Sequence, residues 1–490
     1  MTAPGHAATS TRVPTLRSWI AGVPEDSTGP ERIRPVDPNT GTQLPAARET
    51  SAAQLERAVA AATVAHADGS WFGLPHAERM RILERFAASL DERGAEIARL
   101  DALDSGVPIS VTQLFGAGNG ATVRDAIGHA LEAAAAPALA AAHAEVRVHR
   151  IPWGPTALIT PWNAPSAMVV KKMAYALAAG APVVVKPSSA APHSAELIAE
   201  AAAEAGFPAG TWSLVRGGAA LGQALSEDAR IPAISMTGST PVGRDIAVRS
   251  AARFARLQLE LGANNTAIVR ADADIEATAA ALIAGAWKLS GQWCEAPRRV
   301  YVDERVHSAL LAALTAASAS WRIGSSLDPD TQLGPVAFPE RRDELLAQRE
   351  ELLAAGARLV AEGEVPAAGC FVPPSILDGN GAEPEREVFG PILLVTAVAS
   401  DEAALAAASR GHVGLAAYVF TADETAGREL GLRLPAGEVK LNGTSVLDMA
   451  PGSEQSFFGG SGLGGHGDAR LLEFFTGARV VGADRPGMPL

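Results

Sequence analysis

The chain has little cysteine and no long, strongly apolar run. Its 490 residues include only two cysteines, Cys294 and Cys370. Two cysteines cannot build a disulfide scaffold, and neither has a Cys or His neighbour at zinc-ligand spacing, so we predict no metal site. The longest apolar runs, such as 130–142, are interrupted and fall short of the roughly 20 residues that a membrane span needs. With no signal-peptide pattern and a polar start, we expect a cytoplasmic protein with a short disordered N-terminal tail.

Basic residues are also fewer than acidic residues. The chain carries 41 Lys and Arg against 54 Asp and Glu, a net charge of −13. This balance argues against nucleic acid or an anionic membrane surface as a partner. A hydrophobic content of 48% with 19% charged residues excludes disorder as the main state. The length predicts two or three domains.

From residue 155 onward, short apolar runs alternate with helical patterns. Such alternation predicts an α/β fold with parallel sheets covered by helices on both faces. The junction at Gly262–Asn265 is the expected change of domain. Expected strands are Thr156–Thr160, Pro182–Lys186, Ser213–Val215, Ala233–Met236, Ala255–Leu261, a strand from Ala267, Arg299–Val302, Leu393–Val398, Ala416–Phe420 and Glu438–Leu441. Expected helices are Ser51–Ala65, Ala77–Leu103, Ser166–Ala179, His193–Ala205, Ala219–Leu225, Val242–Ser250, Ile275–Leu289 and Val306–Ser318.

Two segments lie outside this alternation. Glu145–Arg150 alternates apolar with charged residues, as a strand with one solvated face does. The run ARVVGA near the C-terminus, from Ala478, is a second short strand candidate. The two segments either pair across a subunit boundary or form a hairpin on their own chain, and both interpretations stay open.

Three polar residues follow or end predicted elements. Cys294 comes just after a long helical pattern, in a loop, although a free Cys is more often an inert buried residue than a nucleophile. Asn163 follows a buried strand, at the edge of a parallel sheet where α/β proteins bind ligands. Glu260 ends another apolar strand, where a carboxylate is costly unless it is paired or functional. Each signal is weak alone.

Seven short motifs, taken in order, are more specific. They are PWN at Pro161–Asn163, KPS at Lys186–Ser188, MTGST at Met236–Thr240, LELG at Leu259–Gly262, GQWC at Gly291–Cys294, EVFGP at Glu387–Pro391, and FGG…SGLG at Phe458–Gly464. In order and spacing they resemble the NAD(P)-dependent aldehyde dehydrogenase superfamily over nearly the whole chain.

The resemblance implies two parallel-sheet α/β domains and a small bridging element. The cofactor-binding domain is expected at residues 13–137 and 152–262, and the catalytic domain at residues 263–455. The bridging or oligomerisation element is expected at residues 138–151 and 476–490. The resemblance also implies a homodimer or homotetramer.

The resemblance assigns the chemistry to four residues. Cys294 is implied as the nucleophile that attacks the aldehyde carbon, and Asn163 as an oxyanion donor beside the backbone N–H of Cys294. Glu260 matches the base that activates water to hydrolyse the thioester. Lys172 corresponds to a buried lysine of a proton relay. The product is then a carboxylic acid.

The same resemblance implies the cofactor contacts. They are Thr160, Trp162, Lys186, Ser188, Ser189, Gly238, Ser239, Leu261, Glu387 and Phe389. Lys186 is expected on the adenosine ribose and Glu387 on the nicotinamide ribose. Ser189 stands where the family usually has a carboxylate that binds the 2′-hydroxyl of NAD and repels the 2′-phosphate of NADP. Its absence leaves NADP open, and NAD stays the expected cofactor.

Residues at expected pocket positions are Ala164, Met168, Lys171, Trp293 and Phe458. Ala164 replaces an often aromatic position and would widen the pocket. Trp293 beside Cys294 offers a flat apolar wall, which favours an aromatic or medium-chain aldehyde. Trp293 serves equally well as a buried structural anchor. The glycine-rich motif is shortened, and His466 replaces a common Glu. The GxGxxG string at 462–467 is expected to be a loop, because too little chain follows it for a βαβ unit.

Rival functions from other classes also fit a lone reactive cysteine. One is a cysteine-dependent acyl-transfer enzyme, and another is a coenzyme A-acylating enzyme, which usually lacks the counterpart of Glu260. A third is a non-catalytic binding protein of the same fold, which the presence of Cys294, Asn163 and Glu260 disfavours.

Overall fold

A computed structural model of the chain describes residues 12–134, 146–411, 413–445, 450 and 452–483. The expected N-terminal tail and parts of the expected bridging element, residues 138–145 and 484–490, lie outside the described residues.

The first part of the chain contains short strands and three helices. The strands are β1 (Ser18–Ile20), β2 (Val23–Glu25), β3 (Glu31–Ile33), β4 (Val36–Asp37), β5 (Thr42–Gln43) and β6 (Ala47–Arg48). The helices are α1 (Ala52–Ala67), α2 (His76–Ser105) and α3 (Ile109–Ala134). A capping box between Ser51 and Gln54 starts α1. The sequence pattern does not predict α3, because four glycines weaken its helical signal.

The middle of the chain alternates strands and helices as expected. The strands are β7 (Arg147–Pro152), β8 (Thr156–Ile159), β9 (Val183–Lys186), β10 (Trp212–Leu214), β11 (Ala233–Gly238) and β12 (Arg256–Leu261). The helices are α4 (Pro165–Ala178), α5 (Ser194–Ala205), α6 (Ala219–Glu227) and α7 (Thr240–Ala251).

The remaining elements form a second alternating series and a C-terminal region. The strands are β13 (Asn265–Val269), β14 (Pro297–Asp303), β15 (Arg358–Glu362), β16 (Ser375–Asp378), β17 (Ile392–Val398), β18 (Ala416–Phe420), β19 (Glu438–Leu441), β20 (Gln455–Ser456), β21 (Gly462–Leu463), β22 (Gly465–His466) and β23 (Thr476–Val481). The helices are α8 (Ile275–Ala286), α9 (His307–Ala319), α10 (Pro339–Ala354), α11 (Asp401–Ala408), α12 (Glu424–Gly431) and α13 (Asp468–Phe474).

The first sheet has the strand order β2-β1-β10-β9-β8-β11-β12-β21. Its central strands β10, β9, β8, β11 and β12 are parallel. Their residues are mostly apolar and buried, as strands covered on both faces require. All five therefore point their carboxyl ends toward one edge, where the segments after β8, β9, β11 and β12 gather.

The second sheet has the order β15-β16-β17-β14-β13-β18-β19. Its strands are parallel except β15, which pairs antiparallel with β16 at the edge. The chain leaves the first sheet at Leu261 and enters the second at Asn265. Because β14 and β17 are neighbours, the loops that precede them, at 291–296 and 387–391, meet at the amino edge of this sheet. The expected α/β fold with parallel sheets is confirmed.

Strands β7 and β23 pair antiparallel with each other within the chain. Several of their side chains face solvent, including Val148, Val480 and Val481. Within the described ranges, none of the helices combines the length and the apolar character needed to cross a membrane.

Two sequence expectations need comment. The helix predicted to run from Ile275 to Leu289 is wrong at its end, because α8 stops at Ala286 and a 3₁₀ turn, Lys288–Gly291, follows. The GxGxxG string contributes β21 and β22, and β21 pairs antiparallel with β12. The string is therefore a turn between short strands, as expected, and is not part of a βαβ unit.

Candidate active site

The loop that carries Cys294 is built on an unusual turn. Leu289, Ser290 and Gly291 have φ angles of 53°, 58° and 75°, a region that is costly for residues other than glycine. Buried hydrogen bonds hold the turn in place. The hydroxyl of Ser290 donates to the carbonyl of Gly106 at 2.8 Å and accepts from the N–H of Gly334 at 3.1 Å.

Gln292 holds the next part of the same loop in place through its side chain. Its side-chain amide donates to the carbonyl of Ser105 at 2.9 Å, and its side-chain oxygen accepts from the N–H of Ala337 at 2.9 Å. Gln292 is fully buried, so these bonds are protected from water. Leu289, in the turn before Gln292, packs in a buried apolar cluster with Val107, Trp293 and Ala296.

Asn163, at the edge of the first sheet, lies against the Cys294 loop. It follows β8, and its Nδ2 donates to the carbonyl oxygen of Gln292 at 2.8 Å. From the second sheet, Asn265 Nδ2 donates to the carbonyl of Cys294 at 2.7 Å, and its Oδ1 accepts from Ala416 N at 3.0 Å. The structure thus brings Asn163 and the Cys294 loop together. The sequence pattern missed Asn265, although a polar residue that opens an apolar strand is a detectable signal.

Apolar side chains pack on both sides of the Cys294 thiol. One cluster contains Trp293 with Val111 and Phe115, and the other contains Ala263, Leu415 and Phe457. Burial raises the pKa of Cys294 well above its usual value, and the nearby carboxylates Glu260, Glu295 and Glu387 raise it further. The thiol is therefore protonated at neutral pH in the absence of ligands.

Glu260 is buried on β12, near the carboxyl end of that strand. Its Oε2 accepts a hydrogen bond from the Thr237 hydroxyl at 3.0 Å. Its negative charge acts on both Cys294 and Lys172. Glu260 therefore lies within electrostatic range of the thiol.

Lys172 is fully buried on α4. Its Nζ donates to Ser235 Oγ at 2.7 Å and to Gln258 Oε1 at 3.0 Å. Burial lowers its pKa to about 8, while the charge of Glu260 opposes this shift. Lys172 therefore hydrogen-bonds Ser235 and Gln258, and Glu260 acts on it through its charge.

Lys186 and its neighbours lie after β9. Lys186 Nζ donates to the carbonyl of Gly217 at 2.9 Å, and burial lowers its pKa to about 8. Ser188 Oγ accepts from Ala190 N at 3.2 Å. Two hydroxyls at this edge, Ser189 Oγ and Thr160 Oγ1, are buried without a partner among the described residues. They are available to a bound ligand.

The segment after β11 leads directly into α7. Ser239 is the exposed N-cap residue of α7, and its side chain makes no capping hydrogen bond. Leu261 packs against Gly243 in the first turn of α7, where a Cβ would lie 2.5 Å from its side chain. A Cβ on Gly238 would likewise meet Met236 at 2.5 Å. These close contacts fix the helix start against the sheet.

Glu387 lies against the sheet junction. A Cβ on Gly262 would be 2.0 Å from the Glu387 carboxylate, so a side chain at this position would displace that carboxylate. Burial raises the pKa of Glu387 to about 7, although Arg341 and Arg298 counteract this. Its Oε1 has no hydrogen-bond partner among the described residues. Phe389 packs edge-on against Trp162, with ring centroids 5.5 Å apart.

The expected pocket residues differ in their positions. Ala164 and Met168 are partly buried at the start of α4, and Lys171 pairs with Asp468 at 3.1 Å. Trp293 is buried, with Lys288 Nζ 4.1 Å from its ring centroid, which fits the anchor interpretation.

Phe458 is a poorer match to a pocket wall. It is 48% exposed, whereas Phe457 is 8% exposed and packs toward Cys294. Phe457 rather than Phe458 packs in the apolar cluster beside Cys294, and the assignment of Phe458 to the substrate pocket stays a prediction.

These groups form one site between the two sheets. A thiol, an amide donor and a carboxylate converge with unpartnered buried oxygens at the edge of a parallel sheet, a combination that suits covalent catalysis beside a bound nucleotide cofactor. The chain belongs to the aldehyde dehydrogenase family, whose sequence profile matches residues 25–481. It is an NAD(P)-dependent oxidoreductase that acts on aldehydes.

Known proteins resemble it over nearly their full length. Betaine aldehyde dehydrogenase of Cereibacter sphaeroides is 33% identical over 476 residues, covering 96% of this chain and 97% of its own. The crystal structure of PnpE from Pseudomonas sp. WBC-3 superposes with a TM-score of 0.90 at 32% identity, covering 97% of this chain and 99% of PnpE. AldC of Pseudomonas syringae, solved with NAD⁺ and octanal, gives 0.89 at 28% identity, covering 98% and 100%.

Proposed function

We propose that Cys294 is the nucleophile with which this chain oxidises an aldehyde to a carboxylic acid, with NAD as the preferred cofactor. The observation that carries the proposal is the contact between the Asn163 amide and the main chain of the Cys294 loop. It joins the first sheet, which carries the cofactor residues, to the loop that carries the sulfur.

In the first step the sulfur attacks the aldehyde carbon and a C–S bond forms. The carbonyl electron pair moves to oxygen, where the second N–H of Asn163 Nδ2 and the backbone N–H of Cys294 stabilise the developing charge. The thiol must lose its proton first, because only the thiolate is a strong nucleophile. We propose that this proton passes to solvent before the attack, because the raised pKa of Cys294 keeps the thiol protonated in the ligand-free protein.

A bound cofactor would supply an oxidised nicotinamide ring as acceptor for the hydride that the tetrahedral carbon must lose. A thioester on Cys294 remains. Glu260 then takes a proton from water, the resulting hydroxide adds to the thioester carbon, and the C–S bond breaks to release the acid. Lys172, held by Ser235 and Gln258, is proposed to influence this proton transfer through its charge.

Several features of the site fit the cofactor. The unpartnered Glu387 Oε1 suits the hydroxyls of the nicotinamide ribose, with Phe389 and Trp162 beside it. Lys186 and the free hydroxyl of Ser189 suit the adenosine ribose. The start of α7 at Ser239 suits the pyrophosphate, because the N-terminus of a helix favours negative charge. The remaining proposed contacts are Thr160, Ser188, Gly238 and Leu261.

The walls around the sulfur favour an apolar substrate. The side chains that pack on Cys294 are apolar on both sides, and Ala164 and Met168 add little polarity at the start of α4. We therefore propose an aromatic or medium-chain aldehyde. AldC, whose structure contains octanal, is one relative consistent with this class.

The domain assignments follow from the two sheets. We propose residues 13–137 and 152–262 as the cofactor-binding domain, 263–455 as the catalytic domain, and 138–151 with 476–490 as a bridging element. The exposed valines of the β7–β23 ribbon support pairing with a second copy, as a homodimer or homotetramer. Because Cys294 must remain a free thiol, a reducing cytoplasmic location is proposed.

The test uses an aldehyde panel with NAD and NADP supplied separately, following absorbance of the reduced cofactor. Cys294→Ser should abolish oxidation and keep cofactor affinity. Glu260→Gln should release one equivalent of reduced cofactor rapidly and then stall. Normal turnover by Glu260→Gln would remove Glu260 as the base, and dependence of wild-type product release on coenzyme A would favour the acylating alternative.

A further inference from the structure

The segment that connects β6 to α1 is fastened onto the cofactor edge of the first sheet. Glu49 Oε1 accepts a hydrogen bond from the backbone N–H of Gly218 at 2.8 Å. The next residue, Thr50, exchanges two bonds with Arg216, one from Thr50 N and one to Thr50 Oγ1, each at 2.8 Å. Glu49 is also held through its own backbone, which bonds to Pro30 and Gly29. Its carboxylate is therefore fixed in place.

Glu49 and Lys186 bind opposite sides of one peptide unit. The N–H of Gly218 donates to Glu49, and the carbonyl of the preceding residue, Gly217, accepts from Lys186 Nζ at 2.9 Å. The two side chains interact electrostatically, since the charge of Glu49 opposes the lowering of the Lys186 pKa by burial. A carboxylate and an ammonium group thus share the position proposed for the adenosine ribose.

The carboxylate also occupies the start of a helix. Gly218 is the N-cap residue of α6 and has no side chain with which to cap it. The N-terminus of a helix attracts anions such as phosphate, because free N–H groups and the helix dipole favour negative charge. Here Glu49 already provides that negative charge.

We propose that Glu49 selects NAD over NADP, by supplying from a distant segment the carboxylate that Ser189 lacks. The proposal rests on the proposed function, in which Lys186 binds the adenosine ribose. The 2′-phosphate of NADP carries about two negative charges, so Glu49 repels it while also occupying the N–H that would bind it. The 2′-hydroxyl of NAD carries no such charge.

The decisive variant is Glu49→Gln. Glutamine keeps an oxygen that can accept from Gly218 but removes the charge, so the segment stays in place. We expect the ratio of kcat/KM for NAD to that for NADP to fall by at least about tenfold, mainly through a lower KM for NADP. Cofactor dissociation constants, measured by titration without aldehyde, should change in the same direction. The matched control is Glu31→Gln on β3, an exposed residue of the strand that pairs with β6; its ratio should not change.

A second variant tests compensation. Adding Ser189→Glu to Glu49→Gln should restore the preference for NAD. The proposal is overturned if Glu49→Gln leaves the ratio unchanged or if the wild type prefers NADP. Those outcomes leave aldehyde oxidation intact, whereas a wild type that binds neither cofactor would contradict the proposed function itself.

Discussion

The side-chain amide of Asn163 lies 2.8 Å from the carbonyl oxygen of Gln292. One of its two N–H groups is used in this bond, and the other remains for a ligand. Asn163 therefore fastens the Cys294 loop to the first sheet, and its second N–H is the proposed oxyanion donor. Loss of the amide removes both contributions.

Replacing Asn163 with Ala should lower kcat on the order of 100–1,000-fold, because a preorganised donor is lost where charge develops. The dissociation constant for the cofactor should stay within about threefold, since Asn163 does not contact the proposed ribose sites. Stopped-flow measurement of the first turnover, with cofactor titrations alongside, checks both. A kcat close to that of the wild type would show that the main-chain N–H of Cys294 is sufficient.

The reactivity of Cys294 should rise with pH. Burial is the largest cause of its raised pKa, followed by the charges of Glu260, Glu295 and Glu387. In the ligand-free protein, alkylation by iodoacetamide should be slow at pH 7 and accelerate in alkaline solution as thiolate forms. Glu295→Gln removes one of the opposing charges and should speed alkylation of Cys294 several-fold at a fixed pH.

Mass spectrometry of the labelled peptides measures these rates. Cys370 serves as an internal control, because it is buried elsewhere and burial raises its own pKa to about 11. Its labelling should not respond to Glu295→Gln. Rapid labelling of wild-type Cys294 at pH 7 would contradict the protonated resting state.

Much of the fold could be predicted from the sequence, because the apolar runs in the sequence coincide with the buried parallel strands. The bounds predicted for β18 and β19 match the structure, and Asn163 and Glu260 lie at the sheet edge where strand order places them. Parallel strands align their carboxyl ends at one edge of the sheet. The order of the elements alone therefore predicts that residues following different strands lie close together.

Contacts between distant segments were not accessible. Glu49 meets Gly218 and Asp101 meets Ser166 only because helices and strands pack in three dimensions. The turn at 288–291 also escaped prediction, since the left-handed conformation of Leu289 runs against local preference and is maintained by tertiary bonds. The hydrophobic periodicity of the sequence does not show where tertiary contacts outweigh local conformational preference.

Gly291→Ala should disrupt the site. A Cβ there would lie 2.3 Å from Pro391 N, and its φ of 75° already disfavours alanine. The collision separates the loops that carry Cys294 and Glu387. We expect a loss of about 2 kcal/mol or more in the free energy of unfolding, with a large loss of activity.

Gly128→Ala in α3 is the matched control. A Cβ at Gly128 meets nothing within 4 Å, and alanine favours a helix interior by about 0.5–1 kcal/mol. Urea unfolding should therefore show that Gly291→Ala lowers the free energy of unfolding and that Gly128→Ala raises it. Similar small effects for both would mean that the two loops can separate without cost.

We expect Asp101 to make the free energy of unfolding depend on pH, through its hydrogen bonds to the start of α4, the helix that follows Asn163. Its Oδ2 accepts from Ser166 Oγ at 2.5 Å and from Ser166 N at 3.3 Å, in the first turn of α4. Burial raises the pKa of Asp101 to about 7, with bonds from Ser166 and Ser194 opposing the shift. The folded state therefore holds this proton up to about pH 7, while the unfolded chain releases it near pH ~3.9.

It follows that the stability contributed by protonated Asp101 is present below pH ~3.9 and is lost as pH rises through about 7. Asp101→Asn cannot titrate, and its amide oxygen can still accept from Ser166. The unfolding free energy of the wild type should fall relative to this variant by roughly 1.4 kcal/mol per pH unit across that window, and the difference should level off above it. Comparing the two proteins cancels the contributions of other buried carboxyls, such as Glu387. Urea titrations between pH 4.5 and 8.5 measure the difference, and parallel curves would show that Asp101 is already ionised in the folded protein.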